Sequence, residues 1–210
     1  MKVNFFTPTR EYLEKKEEFN KAISAVLESG SFIFGPQVSE LEEEIKKYTG
    51  AKHTIAVASG TDALLISSHA LGFKDGDEII TSPFTFLAST SCIAKLNAKP
   101  VFVDVDEDTF NLDANKIEEK ITSKTTSILP IHLFSQMADM DKIMDIASKH
   151  NLSVLEDAAE AFGMQWGGST SGYKHSGTIG DIGIYSFFPT KTLGGYGDGG
   201  MIVTNNDKLA

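Results

Sequence analysis

The sequence predicts an α/β fold, a three-layer sandwich around a mostly parallel, mixed sheet of about seven strands. Two observations predict it. Short β-type runs alternate with helical segments through most of the chain, the pattern of βαβ units whose parallel sheet is covered on both faces. The composition is that of a globular protein able to bury a full core, with 210 residues, 41% hydrophobic and 23% charged. A third observation concerns a site: the pattern changes after Glu156, and twelve of the 18 glycines fall between Gly163 and Gly200. Glycine lets a backbone approach a ligand closely or adopt positive φ, so such density away from hairpin spacing points to a binding region.

The elements follow in order. Between Glu11 and Glu28 the apolar residues Leu13, Phe19, Ile23, Val26 and Leu27 fall at helical spacing, and Gly30 ends that helix. Ser39-Glu40-Leu41-Glu42 reads as a capping box opening a second helix to about Tyr48. Strands are expected at 53–58, 78–81, 100–104, 127–131, 152–155, 182–187 and 201–204. Helices are expected at 61–71, 84–96, 113–120 and 139–150.

The charge balance excludes some functions. Twenty-nine acidic and 19 basic residues give a net charge of −10, which argues against a nucleic-acid or anionic-membrane surface. A single cysteine, Cys92, excludes an internal disulfide and a cysteine-ligated cluster. The histidines at 53, 69, 132, 150 and 175 lack metal-ligand spacing, so no metal is expected. No stretch approaches the roughly 20 apolar residues of a membrane helix, and the opening residues lack a signal-peptide run. A cytoplasmic location is expected.

Four segments carry candidate chemistry. Ser186-Phe187-Phe188-Pro189-Thr190-Lys191 places a lysine just past a strand, among apolar and glycine residues. Desolvation there would lower the amine's pKa and make it nucleophilic, although a solvated loop lysine is the commoner case. Asp157 ends the strand of Val154-Leu155-Glu156-Asp157, at the sheet edge where open parallel sheets bind ligands. It suits a pyridinium partner or, equally, a helix cap. Val57-Ala58-Ser59-Gly60-Thr61-Asp62 turns from strand into helix, where free N–H groups and the helix dipole suit a phosphate or an ordinary cap. Pro83-Phe84-Thr85-Phe86 offers an aromatic ring for stacking on a heterocycle or for core packing. Gly195-Tyr196-Gly197-Asp198-Gly199-Gly200 matches G-x-G-x-x-G, but a β-type run follows it where a dinucleotide fold needs a helix.

In this order and spacing, the segments resemble the DegT/DnrJ/EryC1/StrS family of sugar aminotransferases, which depend on pyridoxal 5′-phosphate. The resemblance begins at Gly30-Ser31-Phe32-Ile33-Phe34-Gly35-Pro36 and continues through Asp75-Gly76-Asp77-Glu78 and Pro100-Val101-Phe102-Val103-Asp104. It takes in His132-Leu133-Phe134-Ser135-Gln136 and closes on the lysine loop. It implies the large domain of the type I pyridoxal-phosphate transferase fold over residues 1–210, with the family's smaller C-terminal domain outside this chain. Matched positions imply that Lys191 carries the cofactor and that Asp157 meets its pyridine nitrogen. They also imply that Gly60, Thr61, the Asp62 N–H and Ser186 hold its phosphate, and that Phe86 stacks on its ring. Glu160 stands where many members carry Gln or His facing the phenolic oxygen, and beside that negative oxygen it is expected to stay protonated. The implied reaction transfers an amino group, typically from glutamate, to a nucleotide-linked keto-sugar, in a homodimer. Related sugar dehydratases replace the lysine with histidine, and some bind an iron–sulfur cluster. Lys191 and the lone Cys92 speak against both. A regulatory protein that kept the fold is the remaining alternative.

Overall fold

A computed structural model describes residues 7, 9–168 and 172–210. The opening residues 1–6, and 169–171 of the glycine-rich stretch, lie outside the described residues.

Helices α1 (Thr9–Glu14), α2 (Lys16–Ser29) and α3 (Pro36–Thr49) lead into β1 (His53–Val57) and α4 (Gly60–Ala70). Next come β2 (Glu78–Thr81), α5 (Leu87–Lys95), β3 (Lys99–Phe102), β4 (Thr125–Leu129), α6 (Met140–His150) and β5 (Ser153–Asp157). The chain continues through β6 (Gln165–Gly168), β7 (Gly172–His175), β8 (Ile182–Ser186) and β9 (Gly200–Thr204). Seven strands form one sheet in the order β1-β9-β8-β5-β4-β2-β3. All of its pairings are parallel except those of β9, which runs antiparallel to both β1 and β8. The reversal has a simple cause. A parallel return needs a long crossover, usually a helix, and residues 187–199 between β8 and β9 contain none.

Alternation along the strands sends side chains to two faces. Ile79, Leu129, Leu155, Ile184 and Ile202 pack with Leu64 of α4 and Ile93 of α5. Their neighbours Ile80, Ile128 and Val154 pack with Met140 and Ile143 of α6, and Tyr185, Met201 and Val203 pack with Ile45 of α3. Strands β2, β8 and β9 are buried throughout, as a sheet covered on both sides requires.

Several boundaries differ from the sequence reading. The long N-terminal helix is broken at Lys15, and no residue of α1 or α2 is buried, so its apolar stripe does not enter this core. α3 begins a turn before Ser39 because Pro36, at its first position, is preset for helix and Gly35 supplies the extended N-cap. Residues 113–120 form two 3₁₀ turns, Ala114–Lys116 and Glu118–Lys120, in place of a helix. The first is closed locally by the Asp113 side chain accepting from the Asn115 N–H. α5 starts at Leu87, leaving residues 83–86 outside the helix with Phe86 extended as its N-cap. The β6–β7 hairpin is a separate two-stranded sheet that the glycine-rich sequence concealed.

Cys92 lies 1% exposed between α5 and the sheet, and burial pushes its thiol up to about 11. Native protein is therefore expected to resist Ellman's reagent at mildly alkaline pH and to release one equivalent of thiol only on denaturation. Rapid reaction before denaturation would show that α5 does not stay packed against the sheet.

Candidate active site

Parallel strands that share one direction end on one edge, and the segments leaving that edge converge there. A cavity of about 410 Å³ opens among the segments after β1, β2, β4, β5 and β8, a size suited to a small organic ligand. Of the residues expected at a site, Gly60, Thr61, Phe86, Asp157, Glu160, Ser186 and Lys191 all line it.

The anion-facing end is the start of α4. Ser59 is extended and caps the helix by accepting from the Asp62 N–H at 3.0 Å. The N–H groups of Gly60 and Thr61 belong to the first turn and have no intrahelical acceptor. Asp62, expected to lend its N–H to a phosphate, differs: that N–H is committed to Ser59, and the Asp62 carboxylate accepts from the Ser59 hydroxyl at 3.0 Å. Two glycines make the turn possible. A Cβ on Gly60 would stand 2.7 Å from Ser186 Cβ, and one on Gly200 would stand 2.5 Å from the Ser59 carbonyl. β9 and the Ser186 hydroxyl therefore press directly on this turn.

Asp157 ends β5 and is 4% exposed. Its Oδ2 accepts from Ser89 Oγ at 2.7 Å and its Oδ1 from the Ala159 N–H at 3.2 Å. Burial pushes its pKa up; these two donors, with the charge of Lys191, offset only part of that, so it stays above the ordinary Asp value. Among the described residues it has no ion-pair partner. Its backbone is locked to the segment after β4, donating to Pro130 O at 2.9 Å and accepting from His132 N at 3.0 Å.

Lys191 Nζ donates to Glu160 Oε1 at 2.8 Å, with the two side chains 19% and 34% exposed. Glu160 Oε2 accepts from the Phe134 N–H at 3.3 Å, and its carbonyl accepts from Ser135 Oγ and Thr192 Oγ1. Burial pushes the Glu160 carboxyl up, but the Lys191 hydrogen bond and charge, with the Phe134 N–H, outweigh it, and its pKa falls below the ordinary Glu value. In the ligand-free chain, with Lys191 as partner, the carboxylate is the favoured form. A depressed carboxyl pKa stabilises the fold above the ordinary Glu range, and that contribution is lost as pH falls through the folded value.

Phe86 lines the cavity and is 74% exposed. Sequence reading missed Thr85, Ser89, Phe188, Thr190 and Asp198. Ser89 had a signal, since it sits three residues after Phe86 on a predicted helix and so shares its side. Asp198 had none beyond its place among glycines.

Sheet order, the reversed β9 and the edge cavity place the chain in the fold of the pyridoxal-phosphate-dependent aminotransferases. The chain belongs to the DegT/DnrJ/EryC1/StrS aminotransferase family, whose model matches residues 13–210. It is 47% identical over its whole length to the pleiotropic regulatory protein of Geobacillus stearothermophilus, covering 55% of that protein. It is also 47% identical to the UDP-2-acetamido-2-deoxy-3-oxo-D-glucuronate aminotransferase of Pseudomonas aeruginosa, over 93% of this chain and 53% of that protein. S. venezuelae DesV, solved in complex with a ketimine intermediate, superimposes with a TM-score of 0.92 at 37% identity, over 99% of this chain and 54% of that one. The chain spans about half the length of the curated relatives it matches.

Lys191→Met removes the hydrogen bond and charge that hold the Glu160 carboxyl down, leaving burial opposed only by the Phe134 N–H. The Glu160 titration midpoint, followed by carbon-13 NMR of glutamate-labelled protein, is expected to rise. An unchanged or lower midpoint would show that the pair exerts no hold in solution.

Proposed function

We propose that residues 1–210 form the cofactor-binding large domain of a pyridoxal-phosphate-dependent aminotransferase that converts a nucleotide-linked keto-sugar to an amino-sugar, with glutamate as donor. The observation that carries this reading is the placement of Lys191 Nζ and the buried Asp157 carboxyl on one cavity beside the start of α4. The donor set fits the cofactor. A buried carboxyl without an ion-pair partner, with acceptor capacity beyond its two protein donors, suits a ring N–H⁺. The free N–H groups of Gly60 and Thr61, with the Ser186 hydroxyl, suit a phosphate.

Pyridoxal phosphate, when bound, supplies an aldehyde that bonds to amines and a ring that withdraws electrons. Lys191 would hold that aldehyde through Nζ and, when released, would serve as the amine that moves a proton. Asp157 would keep the ring nitrogen protonated. Phe86 would offer an aromatic surface to the ring. Glu160 would serve the phenolic oxygen as a hydrogen-bond donor in its neutral form.

Relatives named for a UDP-linked keto-sugar aminotransferase and for dTDP-sugar transaminases support the substrate class. The retained Lys191 favours amino transfer over sugar dehydration, the activity named for one related structure at 31% identity. An exposed aromatic group, in which Phe84 meets Phe110 and Phe134 next to Phe86, supports a homodimer whose second copy covers this edge. No helix among the described residues is long and apolar enough to cross a membrane. Together with the net charge of −10, this supports a cytoplasmic setting and no membrane or nucleic-acid partner.

Assaying the full native polypeptide with glutamate against a panel of nucleotide-linked keto-sugars tests the reading. Formation of an amino-sugar supports it, and no turnover of any member by cofactor-loaded protein would favour the regulatory alternative. Borohydride reduction of the cofactor-loaded protein, followed by peptide mapping, is expected to label Lys191; labelling of a different residue would show that Lys191 does not carry the cofactor. Asp157→Asn preserves shape but cannot hold the ring proton, and is expected to lower kcat about hundredfold or more with little change in Tm. Near-normal turnover in that variant would reduce Asp157 to a structural residue.

A further inference from the structure

Behind Asp157 stands a hydroxyl relay. Ser89, on α5 and 1% exposed, donates to Asp157 Oδ2 at 2.7 Å, and Thr85 Oγ1 lies 2.9 Å from Ser89 Oγ. A serine hydroxyl has one proton. With that proton given to Asp157, the contact to Thr85 takes one direction, Thr85 donating and Ser89 accepting. Both residues line the cavity. We infer that Ser89, oriented by Thr85, is a positioning residue that fixes the rotation of the Asp157 carboxyl and so keeps the proton on the cofactor's ring nitrogen.

The physical basis is the poverty of donors at this carboxyl. Asp157 is desolvated, and its other protein donor is the Ala159 N–H at the longer distance of 3.2 Å. Burial is the largest influence on its pKa, upward, and the Ser89 hydrogen bond is the largest that opposes it, ahead of the Ala159 N–H and the charge of Lys191. Without Ser89 the carboxyl is free to turn about its last bond, and its proton affinity rises toward that of the ring nitrogen it should leave protonated. The proton then shifts from ring nitrogen to carboxylate, and the ring withdraws electrons less well. The relay also links the stacking segment to the acid: Thr85 precedes Phe86, and Ser89 follows it by three residues.

This inference rests on the pyridoxal-phosphate reading, and ring nitrogen-15 pyridoxal phosphate bound to the full native polypeptide separates the two. The nitrogen-15 resonance of the ring reports its protonation directly. Wild type and Ser89→Thr are expected in the pyridinium range, and Ser89→Ala nearer the neutral-pyridine range with cofactor affinity about tenfold weaker, the scale of one hydrogen bond to a charged group. Thr90→Val, which removes a hydroxyl bonded to its own helix at Leu87 O, should match wild type. Thr85→Val should move the resonance in the same direction as Ser89→Ala but by less, and it decides the matter if Ser89→Ala does not fold. A pyridinium resonance and wild-type affinity in Ser89→Ala, or in Thr85→Val an unmoved resonance, overturns the inference alone. Failure of wild type to bind the cofactor overturns the reading beneath it as well.

Discussion

The Glu156 carboxylate, fully buried, holds the carboxyl edge of the sheet together. Its Oε2 accepts from Gly177 N at 2.8 Å and faces His132 Nε2 at 3.0 Å, and its Oε1 accepts from Ile179 N and Gly180 N at 2.6 Å each. His132 Nδ1 accepts from the Ala138 N–H, so the ring carries its proton on Nε2 and donates to Glu156. A buried carboxylate is tolerable only when fully hydrogen-bonded, and removing any one donor would leave a costly orphan. One side chain thus ties β5 to the segment after β4 and to the turn before β8.

Alternation along β5 turns that anchor into a site. Glu156 points to one face and Asp157 to the other, so the residue that meets the cavity is neighbour to the residue that fixes the edge. The backbone of Asp157 is bonded to Pro130 and His132, and the latter's ring is held by Glu156. The backbone position of the acid is therefore set by a network whose side chains, Glu156 and His132, do not line the cavity.

The reversed strand β9 has a comparable role at the opposite end of the cavity. Its first residue, Gly200, lies under Ser59 and Gly60 where no Cβ fits, and the loop that β9 closes carries Lys191. The lysine thereby returns over β5 and meets Glu160. A lysine and a carboxylate 31 positions apart in sequence become partners because the sheet sends both connections to one edge.

The sequence by itself determined the alternation of strands and helices, the seven-stranded sheet and the edge on which the site lies. Those features rest on local periodicity and on turn chemistry, which the chain carries residue by residue. All the expected site residues except Asp62 line the cavity for the same reason, each lying at the carboxyl end of a strand or within a few residues of it. Tertiary structure alone decided the antiparallel placement of β9, the β6–β7 hairpin, the 3₁₀ turns at 114–120 and the breadth of exposed surface on α1 and α2. It also decided the state of Glu160 and the service of Ser89 to Asp157. Those outcomes depend on which distant groups share a low-dielectric pocket, and a charge's partner there, unlike a helix's period, is not written in the residues beside it.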